Sequence, residues 1–277
     1  MRSPLLLPCV LLALSISPAR AALVVDFDAG STDLTDNFAG VGQSLPTWVS
    51  SGGVNNTGSL IVTAGNSTDV GQSFANFQGV AQSGAESFDL IGSSLTTSMF
   101  FLFNNPPPNN PAAARLLDLY ITSATDATVT GATAHVGIRL DTISNNTTFR
   151  YQLRNNNVSS APSGNFSLST GVWYQMAVTF TNPDDTNINL SVELYDRGAT
   201  GTASPTLVGG NASYSVNTTN AVLTADSAVY GAFRIPRGDN VDQLDNFSFV
   251  NAVPEPGSAA LVALGLAAVA LRRRSLR

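Results

Sequence analysis

The chain has 277 residues, of which 43% are hydrophobic and only 12% charged, so it can build a packed core and is not a disordered polyelectrolyte. All 13 basic residues are arginine, and the formal charge is -6, which excludes nucleic-acid binding because that needs clustered basic side chains to displace phosphate counterions. One histidine and one cysteine exclude most zinc and thiol chemistry.

At the N-terminus, Met1, Arg2 and Ser3 precede an apolar stretch over 5–16 and then Ala19-Arg20-Ala21. That order of basic, apolar and small residues is a secretory signal peptide. Segment 1–21 is therefore expected to be a signal helix cleaved after Ala21, with Ala19 and Ala21 as the small residues at the cleavage site. Cys9 leaves with it, so the exported body has no disulfide and no thiol nucleophile.

Residues 22–252 form the body, whose length suits one large all-β domain. Runs rich in Val, Ile, Thr, Phe and Tyr, separated by Asn, Gly, Ser and Asp, predict strands over 23–27, 59–63, 72–77, 86–91, 98–103 and 116–122. Further strands are predicted over 134–141, 147–153, 173–181, 188–195, 228–235 and 243–250. Alternation is clearest from Trp173 to Phe180, where Tyr174, Met176, Val178 and Phe180 share one face. A dozen strands without intervening helices imply two packed antiparallel sheets, a jelly-roll sandwich. The body holds seven arginines against 18 acids, a charge of -11, which repels anionic lipid and makes divalent cations plausible counterions.

The C-terminus reads Val253-Pro254-Glu255-Pro256-Gly257-Ser258, then apolar residues over 259–271, then Arg272, Arg273 and Arg274 within a basic tail over 272–277. As helix the apolar segment rises about 20 Å against a hydrocarbon core of roughly 30 Å, marginal for a permanent anchor. The arginines should stay cytoplasmic, leaving the body outside. These residues resemble the PEP-CTERM sorting signal of Gram-negative bacteria, a tail also called the ice-binding protein C-terminal domain. The resemblance covers 253–277. It implies recognition by an exosortase through Pro254, Glu255 and Pro256, flanked by Val253 and Gly257. It also implies a short transmembrane helix that holds the protein transiently at the inner membrane, and a final location at the cell surface or outside the cell, in bacteria that make exopolysaccharide.

Gly171-Val172-Trp173-Tyr174, the strand it opens, the polar turn Asn182-Pro183-Asp184-Asp185 and the strand over 188–195 resemble the paired strands of concanavalin A-like and laminin-G-like domains. Asp242 to Val250 resembles the closing strand of jelly-roll ectodomains and is expected to pair near the first strand. A galactose-binding-like jelly roll is the alternative fold.

Few residues suit catalysis. Laminarinase-type enzymes on this fold set two or three carboxylates at alternate strand positions, whereas the body has only Glu86 and Glu193 as glutamates. Glu193 and Asp196 are three apart, on opposite faces of a regular strand. His135 lacks a plausible Ser or Cys elbow and reads as structural. Gly40-Val41-Gly42 lacks the third glycine of a nucleotide loop, and Arg237-Gly238-Asp239 spells an adhesion tripeptide by chance.

Sugar binding calls for aromatic faces beside amide and carboxylate groups, and Trp48, Trp173 and Tyr174 are the candidate platforms, although a core position is at least as plausible for Trp173 and Tyr174. Asp26 and Asp28 near the first strand, with Asp239, Asp242 and Asp245 near the last, could converge on a structural Ca²⁺; turn capping is the competing role. No other cofactor is expected. The expectation is a non-catalytic exported surface or matrix protein that associates with exopolysaccharide. The alternatives are a glycan-acting hydrolase or lyase, or a purely structural protein. Two carboxylates about 5 to 9 Å apart in a groove would favour the enzyme, and an aromatic-lined groove would favour binding.

Overall fold

The structure is a computed structural model that describes residues 23–30, 38–41, 47–61, 73–77, 85–86, 88, 91–103, 115–123, 135–142, 148–155, 158–159, 163–184, 186–217, 229–235 and 243–251. The signal segment and the sorting tail lie outside these residues, as do Asp239 and Asp242. Among the described residues no helix is long and apolar enough to cross a membrane.

Strand-forming stretches pair throughout. In chain order they are β1 (Leu23–Val25), β2 (Phe38–Val41), β3 (Thr47–Val49), β4 (Ser59–Ile61), β5 (Ser73–Phe77), β6 (Ala85–Glu86), β7 (Ser94–Phe103), β8 (Arg115–Thr122) and β9 (His135–Thr142). Then come β10 (Phe149–Asn155), β11 (Val158–Ser159), β12 (Ser163–Phe166), β13 (Val172–Thr181), β14 (Asn187–Asp196), β15 (Thr206–Leu207), β16 (Ala212–Asn217), β17 (Val229–Ile235) and β18 (Gln243–Asn251). The first sheet runs β15-β14-β13-β7-β18-β4-β3, with β1 on β18 and β16 on β14. The second runs β11-β10-β9-β8-β17-β5-β2, with β12 on β10 and β6 on β17. Every pairing is antiparallel, and the last strand does pair with the first, Leu23 opposite Phe249.

Two-residue periodicity fills the space between the sheets. From the first come Met99 and Phe101 of β7, with Tyr174, Met176, Val178 and Phe180 of β13; from the second come Leu117 and Leu119 of β8, Val136, Ile138 and Leu140 of β9, and Phe149 and Tyr151 of β10. Each such side chain removed from water contributes about 1.5–3 kcal/mol before conformational entropy is charged against it. Phe38 closes the end where the termini meet, edge-on to Phe233 at 5.4 Å and to Phe247 at 5.3 Å.

The long strands lie where alternation predicts them. The short ones, β2, β3, β11, β12, β15 and β16, escape it because two to six residues carry too little pattern. β7 begins at Ser94, ahead of the expected residue 98; of the expected strand over 86–91, Glu86 is in β6, Ile91 is in a turn with Gly92, and 87, 89 and 90 lie outside the described residues. Asp184 shapes the β13–β14 turn, its Oδ1 accepting from the Thr186 and Asn187 amides at 3.0 and 2.8 Å.

Candidate functional site

Two places hold polar chemistry that secondary structure does not consume. One is the junction of the termini. A bulge in β18 between Asp245 and Ser248 interrupts its pairing with β7, and Asn246 takes a positive φ of 48°. The Asp245 side chain is thereby buried completely, and the loop between β3 and β4 folds over it. The Val54 amide donates to Asp245 Oδ2 and the Asn246 amide to Oδ1, each at 2.7 Å. Gly53 permits this approach, since a Cβ there would lie 2.6 Å from Asp245 Oδ2. Asp28 Oδ1 accepts from the Gly58 amide on the same loop at 3.1 Å. Burial pushes the Asp245 carboxyl up to about 7, against two backbone hydrogen bonds that lower it and with the charges of Asp28 and Asp26 adding to the rise.

The fold thus brings Asp26, Asp28 and Asp245 into one neighbourhood. Both Asp245 oxygens are turned to backbone donors, and the described residues contain no group of three or more acids, histidines or cysteines arranged to hold a metal ion. Trp48 belongs to this junction too. Half-buried, it donates its indole N–H to the Phe27 carbonyl at 2.7 Å. Trp173 and Tyr174 are each 2% exposed, so the structure corrects their role as stacking platforms: Tyr174 joins the core and stacks on Phe101. Trp173 opens β13, its backbone bonded to Gly198 and Arg197.

The other place is the face of the second sheet turned away from the core. The residues between the apolar ones there are mostly polar or charged, and pairing sets four of them in a row, Gln152 on β10 opposite Arg139 on β9, Arg139 opposite Asp118 on β8, and Asp118 opposite Arg234 on β17. Arg139 grips Asp118 with Nε and Nη2, both at 2.6 Å. Arg150 donates to Asp141 Oδ2 at 3.4 Å. This face is not wet: Asp118, His135, Arg139, Asp141 and Arg234 are all 9% exposed or less.

Charge on the two arginines responds to this setting in opposite ways. Burial works against the Arg139 cation, but the paired Asp118 more than offsets it and the pKa rises. For Arg234 burial prevails, with Asp118 opposing and Arg139 adding repulsion, so its pKa falls. A pocket opens beside them, lined by Asp118, Tyr120, His135, Gly137, Arg154 and Arg234. Its floor is Gly137, where a Cβ would lie 2.3 Å from the Leu119 carbonyl oxygen and from Tyr120 Cβ. The Tyr120 ring meets His135 edge-on at 5.8 Å. Among the described residues neither the Tyr120 hydroxyl nor Arg234 Nε has a hydrogen-bond partner.

Sequence reasoning singled out His135 but missed Asp118, Tyr120, Arg139, Arg154 and Arg234. Arginines at 139, 150 and 234 inside predicted strands of a lysine-free body, with Arg154 just past the end of one, were the available signal. The discriminating geometry takes neither expected form. Asp118 and Asp141 are each paired with an arginine, Glu193 and Asp196 lie on β14 in the other sheet, and the pocket lining combines Tyr120 and His135 with Arg154 and Arg234 and includes none of Trp48, Trp173 and Tyr174.

Residues 252–274 match the PEP-CTERM protein-sorting motif. No curated protein is similar in sequence. Among solved structures, lectin II from Ulex europaeus is similar, with a TM-score of 0.52 and 11% identity over 85% of this chain and 100% of the lectin. Basic winged bean lectin with Tn-antigen gives 0.52 and 14%, over 84% and 100%. Metal-free lectin I-B4 from Griffonia simplicifolia gives 0.51 and 12%, over 84% and 100%. At these identities the likeness is one of fold: the body has a two-sheet sandwich fold like that of these lectins. The tail marks an exported protein that is held transiently in the membrane and implies processing by an exosortase.

Proposed function

We propose that this protein is a non-catalytic component of the cell surface or extracellular matrix that associates with exopolysaccharide through its sandwich. The observation that carries this reading is the conjunction of a PEP-CTERM tail with a lectin-like body whose second sheet has a pocketed face of hydrogen-bonding side chains. Sugar hydroxyls and carboxylates are bound by groups of that kind, held in place by short ion pairs. The PEP-CTERM tail fits delivery of such a module to the envelope.

A glycan array probed with the purified protein tests the reading. Binding to one or more polysaccharides is expected; silence across the array would leave a purely structural role. The alternative of a glycan-acting hydrolase or lyase draws on one observation, that His135 and Tyr120, two groups able to exchange protons, share a pocket with Arg234. Against it, Asp118 and Asp141 are engaged by arginines, unlike the paired acid and nucleophile of a glycosidase. Release of new chain ends from a bound glycan would favour the enzyme.

A further inference from the structure

The charged face of the second sheet is opposite in sign to the body that carries it. Five of the seven body arginines, at 115, 139, 150, 154 and 234, sit on β8, β9, β10 and β17, Arg115 in register with Asp141. The acids on these strands are Asp118 and Asp141, so among the described residues the four strands carry +3 within a body of -11. Asp118 is already gripped at both oxygens by Arg139, yet it is also the carboxylate that acts on Arg234. Two nearly buried guanidinium groups therefore share one carboxylate, and a buried cation without its own counter-charge is costly.

Unmet hydrogen-bonding capacity lies at the same spot. Tyr120 is 3% exposed, it lines the pocket, and its hydroxyl has no partner among the described residues; nor does Arg234 Nε. Burial raises the Tyr120 pKa, so the hydroxyl keeps its proton and can donate. Donors and excess positive charge at one place call for an anionic acceptor. The pocket has room for one oxygen-sized group and not for a sugar ring. That selects a pendant carboxylate whose ring stays outside, over the half-buried Arg154 at the rim.

We infer that the ligand of this face is an acidic polysaccharide, one uronate carboxylate oxygen entering the pocket to accept from the Tyr120 hydroxyl and Arg234 while Arg154 flanks the sugar. The inference rests on the reading that the sandwich binds glycan, and it narrows that reading from polysaccharide in general to polyuronate. The repulsive net charge of the body is screened beyond about 8 Å at physiological ionic strength, whereas the pocket acts at contact distance.

Calorimetric titration of the purified full-length protein with polygalacturonate, free galacturonate and dextran tests it, using wild type, Tyr120→Phe and Arg234→Gln. Polygalacturonate is expected to bind, with dextran and free galacturonate at least about ten-fold weaker; each variant should weaken polygalacturonate about ten-fold or more. Tyr120→Phe removes a hydroxyl that has no partner among the described residues, so its melting temperature should match wild type and separate lost binding from lost folding. Dextran bound as well as polygalacturonate would overturn the acidic ligand while leaving a glycan-binding sandwich. Free galacturonate bound as tightly as the polymer would overturn the polysaccharide in favour of a small anion. Polygalacturonate binding untouched by both variants would overturn the site, and no binding to any of the three would overturn the inference together with the glycan reading on these probes.

Discussion

Replacing Asp118 by Asn keeps the shape of the side chain and removes the charge that holds Arg139. The pair is bidentate at 2.6 Å, and the two side chains are 7% and 1% exposed, so water cannot replace the lost carboxylate. Breaking a buried pair from one side costs about 3–5 kcal/mol. Here Arg234 loses its compensating charge as well, which places the expected cost in the upper part of that range. For a body of this length each kcal/mol shifts the melting temperature by about 2–4 °C, so a fall of about 8–20 °C is expected. Arg139→Met alone, which strands Asp118, should cost a comparable amount. The double variant Asp118→Asn with Arg139→Met leaves no orphaned charge within the pair and should recover part of the loss, Arg234 still lacking its carboxylate. Urea unfolding of the four proteins, repeated in 1 M NaCl, measures the cycle. Salt should alter the coupling little, because buried pairs are weakly screened. If Asp118→Asn lies within about 1 kcal/mol of wild type, or if salt abolishes the coupling, the pair behaves as a solvated surface bridge and the argument for a closed, charge-bearing face fails.

Asp245 should make stability depend on pH. Its carboxyl titrates near 7 in the folded protein against an ordinary 3.8, so between these values the fold holds a proton that the unfolded chain has released. Its contribution is fully present below about pH 4 and is lost as pH rises through 7. Melting temperatures from pH 4.5 to 8 should fall less steeply for Asp245→Asn, and parallel slopes would sink the assignment. The same acids carry the proposal of structural calcium. Because both Asp245 oxygens already accept backbone N–H groups, added Ca²⁺ at pH 7.5 should raise the melting temperature by less than about one degree, whereas a larger rise, abolished in Asp245→Asn, would assign the ion there. Gly137→Ala should destabilise by about 1–3 kcal/mol or more, because the new methyl meets backbone, which cannot step aside, at 2.3 Å. An unchanged urea midpoint would mean that β8 and β9 can part without cost.

The residues alone determined the sorting tail and the class of fold. A sorting tail is read in chain order, with Pro254, Glu255 and Pro256, an apolar run and arginines each in place, so no contact between distant residues was needed to recognise it. Two-residue alternation in a strand such as β13 likewise marked Tyr174, Met176, Val178 and Phe180 as a core face, because side-chain direction there follows from local backbone geometry. Trp173 shows where this local rule stops. It lies on the opposite face of β13 yet is 2% exposed, since what covers the outer face of a sheet is decided by chain far away in sequence.

The binding face was hidden for the same reason. Asp118, Arg139 and Arg234 come from β8, β9 and β17, separated by 21 residues in one case and by more than ninety in the other. Only strand order and register set them side by side. That the body is acidic was legible from composition. That five of its arginines gather on one sheet, around a tyrosine hydroxyl left without a partner among the described residues, was decided by the tertiary structure, because register converts widely spaced residues into a single row of charge.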